Sequence, residues 1–135
     1  MVRSIPLSDP LTEPYWRAAA ENRFVLPRCE DCGRRHFYPR PACPHCRSAR
    51  ITWVEASGRG SVYSYSVVHR APSAAFADAV PYVIAVVAAD DGPHLLSRIV
   101  EIEPAAVRIG IRVRVRFDLL DDGAALPVFA PECDT

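Results

Sequence analysis

Lysine is absent from this 135-residue chain: all sixteen basic residues are arginine, and sixteen acids bring the formal charge to zero. Nucleic-acid binders draw most of their affinity from accumulated positive charge, so a neutral chain lacks their usual footprint. Long apolar runs are missing too. No stretch approaches the ~20 apolar residues needed to cross a bilayer, and the opening MVRSIPLSDP has no apolar segment of the kind a secretory signal needs. These absences place the expected protein in the cytoplasm, away from membranes, where thiols stay reduced and disulfides are rare. Catalytic signatures are equally scarce: there is no GxSxG elbow, no phosphate-cradling glycine loop and no HExxH pair. His36, His45, His69, His94, Ser66 and Ser97 are available, and His69 with Arg70 is the most suggestive polar pair, but the sequence brings no two of them together. No catalytic residue is assigned.

What remains is a soluble globular composition, half apolar and 24% charged, long enough for one hydrophobic core. Charge is divided unevenly. Residues 1–60 carry ten arginines against six acids, and residues 61–135 carry six against ten. An anionic ligand or partner would thus meet the N-terminal part first.

Four of the five cysteines lie in CEDCGRRHFYPRPACPHC, residues 29–46, as two CxxC pairs ten residues apart. Two such knuckles, each presenting two sulfurs, match a tetrahedral four-thiolate metal site at Cys29, Cys32, Cys43 and Cys46. Gly33 directly after Cys32 suits the sharp turn that follows a knuckle's second ligand. Four protein ligands leave no open position, so a Zn(2+) ion held there is structural rather than catalytic. Iron in a rubredoxin-like electron carrier uses the same ligand geometry and is not separated from zinc by spacing. His36 and His45 are nearby alternatives that four sulfurs make unnecessary. From Arg28 to Arg50 there are six arginines and two acids, Glu30 and Asp31, an excess that offsets the thiolate charge. Cys133 is a lone thiol near the C-terminus.

Ahead of the knuckles, LTEPYWRAAAENRF reads as a helix, with Thr12 as N-cap, Glu13 and Pro14 in the first turn, and Tyr15, Trp16, Ala19 and Arg23 sharing a face. That face either packs within the chain or meets another protein. After the knuckles the texture is β: ITWVEA, SVYSYSVVH, VPYVIAVVAA, HLLSRIVE, IRVRVRF and ALPVFA, separated by turn sequences such as GRG, DDGP and LDDG. In IRVRVRF, Ile111, Val113, Val115 and Phe117 are expected to face inward and Arg112, Arg114 and Arg116 outward. The sheet is expected to close on itself rather than leave open edges. Five strands with a helix-like turn at PAAVR fit an OB-type barrel, whose first two strands would be joined by RAPSAAFADAVP. The reading is mainly β: an N-terminal helical segment, 1–26; a zinc ribbon, 27–56; and a five-stranded OB-fold domain, 57–132.

The order of EPYWRAAAENRFVLPRC, the knuckles, SGRGSVYSYSVVHR, PYVIAVV, LLSRIVEIEP, RIGIRVRV and ALPVFAPE resembles the OB-fold, acyl-CoA-associated family with a rubredoxin-like zinc ribbon, from about Asp9 to Glu132. The resemblance implies a non-catalytic accessory subunit beside a thiolase-like enzyme or a hotdog-fold enoyl-CoA hydratase. Such a subunit supports carbon–carbon bond chemistry on an acyl-CoA by stabilising the complex, shaping the substrate entrance or passing the thioester between sites. Arginine-rich knuckles would suit CoA phosphates, and Phe76, Ala77 and Val80 could lie along an acyl chain; no CoA-contacting residue is assigned. The alternatives are a single-stranded nucleic-acid-binding module, an electron carrier and a self-sufficient enzyme.

Overall fold

The computed structural model describes residues 10–70, 74, 77, 80–120 and 124–132. Phe76, most of the RAPSAAFADAVP segment and Cys133 lie outside them. Helix α1 spans Glu13–Ala20, with Thr12 as N-cap residue and Pro14 in the first turn, where its missing N–H is no loss. Ala18 and Ala19 are buried, and these small side chains let the helix lie against the strands β1 (Val25–Cys29) and β7 (Ala125–Pro131). Tyr15 is the pivot of the helix face: its ring meets Trp16, Phe24, Phe37 and Trp53 at centroid distances of 5.0–6.4 Å. Burial, with Tyr38 nearby, pushes its phenol well above the ordinary value. The helix face therefore packs within the chain, although Arg23 turns outward to Glu55 at 2.7 Å.

β1 pairs antiparallel with β2 (Ile51–Glu55) in a two-stranded sheet from which the knuckles project. The sequence reading missed β1. Pro27 at its centre removes a donor and reads as a strand breaker, yet it sits on an edge strand, where its carbonyl still accepts from the His36 amide at 3.1 Å. This strand begins at Val25, inside the stretch assigned to the N-terminal segment.

The remaining strands, β3 (Arg59–Val68), β4 (Tyr82–Ala89), β5 (His94–Ile99), β6 (Arg112–Leu119) and β7, form a closed barrel in the order β3-β4-β5-β7-β6. A register shift between Val62 and Ser64 bends β3, which pairs along β4 and, through Arg59–Ser61, also with β6. Bulges increase local twist, and a small barrel needs that to close. The GRG junction matters here. Gly58 has φ +74°, and a Cβ on Gly60 would sit 2.5 Å from the Ala88 carbonyl, so only glycine lets β3 approach β4 so closely. A short 3-10 turn, Pro104–Ala106, falls at the expected PAAVR.

Through Ile111 and β6 the anticipated alternation holds, with Ile111, Val115 and Phe117 half-buried against the core and Val113 buried, and Val62, Val83, Val87, Leu95, Ile99 and Phe129 fill that core from the other strands. Each of the fully buried side chains contributes about 1.5–3 kcal/mol of burial. Phe129 stacks edge-on against Phe24 at 6.1 Å and joins the barrel core to the residues beneath the ribbon. On β6 two of the three outward arginines meet acids: Arg112 pairs with Asp90 and Glu132, and Arg116 with Glu101. Among the described residues no helix is long and apolar enough to cross a membrane.

Candidate metal centre

The two knuckles are built alike. In the first, the Cys29 amide donates to Arg34 O and the Gly33 amide to Cys29 O, at 2.9 Å each. In the second, the Cys43 amide donates to Ser48 O and the Arg47 amide to Cys43 O, at 2.8 Å each. The residue after the second cysteine is left-handed in both: Gly33 at φ +76° and Arg47 at +66°. The sequence signalled the first turn through its glycine and concealed the second behind an arginine.

These turns aim four sulfurs at one point. The Sγ atoms of Cys29, Cys32, Cys43 and Cys46 all lie within 4.8 Å of one another, with Cys29–Cys46 at 3.4 Å and Cys32–Cys43 at 3.6 Å. A zinc–sulfur bond of ~2.3 Å in a tetrahedron gives sulfur–sulfur edges of about 3.8 Å, so the donor set and its spacing fit one such ion. Backbone amides support the sulfurs, Cys32 N–H donating to Cys29 Sγ at 3.5 Å and His45 N–H to Cys43 Sγ at 3.3 Å.

Thiol acidities reflect this crowding. The Cys32 amide lowers the Cys29 thiol to about 6, helped by contacts with Cys46 and the Asp31 amide and opposed by burial. For Cys46 the Ser48 amide pulls downward, but contacts with Cys29, burial, Cys32 and Cys43 dominate together and push it up to about 12. Four thiols this close cannot all ionise without a cation among them.

His36 and His45 stand outside the cluster. His36 is buried, 4% exposed, with neither ring nitrogen hydrogen-bonded, and burial above all lowers its basicity. His45 is exposed. Of the arginines, Arg50 and Ser48 both engage Asp31, and Arg28 Nε donates to Gly33 O at 3.4 Å, so both guanidinium groups brace the knuckles from outside. The polar groups considered for catalysis are dispersed. The His94 ring lies tilted against Tyr63 at 4.6 Å, Ser97 Oγ donates to Pro127 O at 3.0 Å, and His69 lines a separate cleft with Glu103 and Pro104.

Two family descriptions match in the order of this architecture. The ChsH2 rubredoxin-like zinc ribbon domain covers residues 16–52, and the ChsH2 C-terminal OB-fold domain covers 53–118. A DUF35 domain-containing scaffold protein of Methanocaldococcus jannaschii is 37% identical over 123 residues, spanning 87% of this chain and 86% of the relative. A probable enoyl-CoA hydratase alpha subunit of Thermomonospora curvata is 40% identical over 117 residues; the match spans 87% of this chain but only 36% of that protein. Among solved structures, one described as Ltp2-ChsH2(DUF35) aldolase superposes with a TM-score of 0.85 at 38% identity, covering 94% of this chain and 98% of that one. With its ribbon and barrel matched in turn, and near full-length likeness to a DUF35 scaffold protein, the chain belongs to the DUF35 family in its ChsH2 form, a rubredoxin-like zinc ribbon followed by an OB-fold.

Proposed function

We propose that this chain is a non-catalytic accessory subunit of a cytoplasmic acyl-CoA enzyme, docked on a thiolase-like or hydratase partner that performs the carbon–carbon chemistry. It stabilises that complex and helps bind or pass on the acyl-CoA. The observation that supports this most is the likeness, along almost the whole of both chains, to the DUF35 component named with Ltp2 in an aldolase. A hydratase alpha subunit carrying a similar unit within a longer protein points the same way.

The working units are the N-terminal segment 1–26, whose last two residues open the ribbon's first strand, the ribbon 27–56 and the barrel 57–132. One zinc ion bound by Cys29, Cys32, Cys43 and Cys46 supplies cross-linking and no open coordination site, so it makes the ribbon rigid without entering the reaction. The scattered positions of His69, His94, Ser66 and Ser97 accord with chemistry performed by the partner. A nucleic-acid role is disfavoured, because Arg112 and Arg116 are already engaged by acids that would repel phosphates.

Mixing the purified zinc-loaded chain with a thiolase-type or hydratase-type enzyme from the same organism tests the proposal. A stable complex is expected, with acyl-CoA turnover that requires the partner. Turnover by the chain alone, or salt-dependent binding to single-stranded DNA with no affinity for such enzymes, would overturn it.

A further inference from the structure

Arginines are answered differently in the two halves of the molecule. In the barrel Arg59, Arg112 and Arg116 are each held by an acid. In the ribbon only Arg50 meets one, Asp31, and among the described residues Arg28, Arg34, Arg35, Arg40 and Arg47 have no ion pair.

Two of these are forced together. The Cys29 amide donates to Arg34 O at 2.9 Å and the His36 amide to Pro27 O at 3.1 Å, and these bonds flank a bridge that sets Arg28 opposite Arg35. A pair flanked in this way is the closer of the two antiparallel arrangements, ~4.5 Å between Cα atoms, with both side chains on one face. Like charges so placed repel. Arg35 is half-buried, and its Nε is fully covered without a hydrogen-bond partner. The described hydrogen bonds to the cluster sulfurs come from the Cys32 and His45 amides and from other sulfurs, so neither arginine donates to a thiolate. Such a pair costs the free chain stability and becomes favourable when an anion meets it.

Arg35 opens onto a cleft of about 270 Å³ between the knuckles and the β4–β5 turn, lined by Gly33, Arg34, Arg35, His45, Asp91 and Gly92. Arg28 reaches over one wall: a guanidinium nitrogen lies 3.9 Å from where a Cβ on Gly33 would stand. Asp91 is the acid in this lining, and its carboxylate accepts from the Ser57 amide and hydroxyl at 2.8–3.2 Å. Mixed lining selects the occupant. A fully ionised phosphate brings acceptors alone and would stand against Asp91, whereas an acidic polypeptide brings carboxylates for the guanidinium forks and N–H donors for Asp91.

We infer that this cleft docks an acidic surface segment of the partner enzyme, one carboxylate received between Arg28 and Arg35 and a second at Arg34. The identity of the partner rests on the accessory-subunit reading; the charge arrangement does not.

Binding of the zinc-loaded chain to a thiolase-type or hydratase-type enzyme from the same organism is measured by surface plasmon resonance at low and high salt, for the wild type, Arg35→Gln and Arg34→Glu. Arg35→Gln should weaken the complex at least tenfold, the loss of one charge-assisted contact. Arg34→Glu, at an exposed position, should act mainly by slowing association, and high salt should weaken the wild type more than either variant. In the free chain Arg35→Gln is expected to hold zinc against a competing chelator at least as well as the wild type, because it relieves the repulsion from Arg28; faster zinc loss would make Arg35 a structural brace and overturn the inference. A complex indifferent to both substitutions and to salt removes the docking cleft and leaves the accessory-subunit reading standing. CoA binding that depends on Arg35, beside such an indifferent complex, would assign the cleft to phosphate and overturn the inference too. If no complex forms, N-acetyl-hexaglutamate is titrated into the chain alone. Binding that Arg35→Gln abolishes then keeps the acidic-segment site while the accessory-subunit reading falls, and no binding removes both.

Discussion

The ribbon and the barrel solve the same problem by different means. Between Cys29 and Arg50 only Cys29, His36, Pro39 and Cys43 are buried, and the supporting sheet has two strands, too few to be stable alone. The barrel closes five strands around a contiguous set of valines, leucine, isoleucine and phenylalanine. One half depends on a few sulfur–metal bonds and the other on many small apolar contacts. Damage should therefore be all-or-none in the ribbon and graded in the barrel.

Removing the metal should separate the halves most strongly. Structural zinc sites contribute about 10–16 kcal/mol to folding, so Cys43→Ser, or chelation, should unfold the knuckles while the barrel persists; loss of amide protection confined to 29–55 would show it. Because the ligands must shed protons to bind, acid should release the ion, and zinc affinity should fall as pH drops. Next comes the barrel core. Phe129→Ala empties the largest fully buried side chain and should cost about 3–5 kcal/mol, seen as a lower denaturant midpoint in a protein that still binds one metal per chain.

Smaller effects sharpen the contrast. Arg47 is in the left-handed region that Gly33 occupies without cost in the sister knuckle, so Arg47→Gly should stabilise the metal-loaded ribbon by about 1 kcal/mol, visible as slower metal loss to a competing chelator. On the barrel surface, the side-chain hydrogen bond from Arg112 lowers the Asp90 carboxyl below its ordinary value. Its stabilising contribution is present at neutral pH and is lost as pH falls through that lowered value. Both partners are more than a third exposed, so Asp90→Asn should shift stability by less than ~1 kcal/mol, and the shift should vanish in acid.

Legibility in the sequence divides along the same line. The thiol cluster is encoded by local spacing, two residues inside each knuckle and ten between, so it could be read without a fold. Barrel strands such as IRVRVRF were readable because apolar residues alternate, and the arginine row fell on the outer face as that alternation requires. Where a residue works against its own preference the signal disappears: Pro27 masks β1, and Arg47 hides the second knuckle's turn. The basic cleft was invisible for a different reason. Arg35, His45 and Asp91 come from the two knuckles and a barrel turn and meet only once ribbon and barrel are assembled. No periodicity links them.

Hydrogen exchange on the zinc-loaded chain before and after chelation tests the division most directly. Amides of residues 29–55 are expected to lose protection together while Val62, Val87, Val113 and Phe129 keep theirs. Protection that survives chelation in the knuckles, or that collapses in ribbon and barrel as one unit, would contradict it.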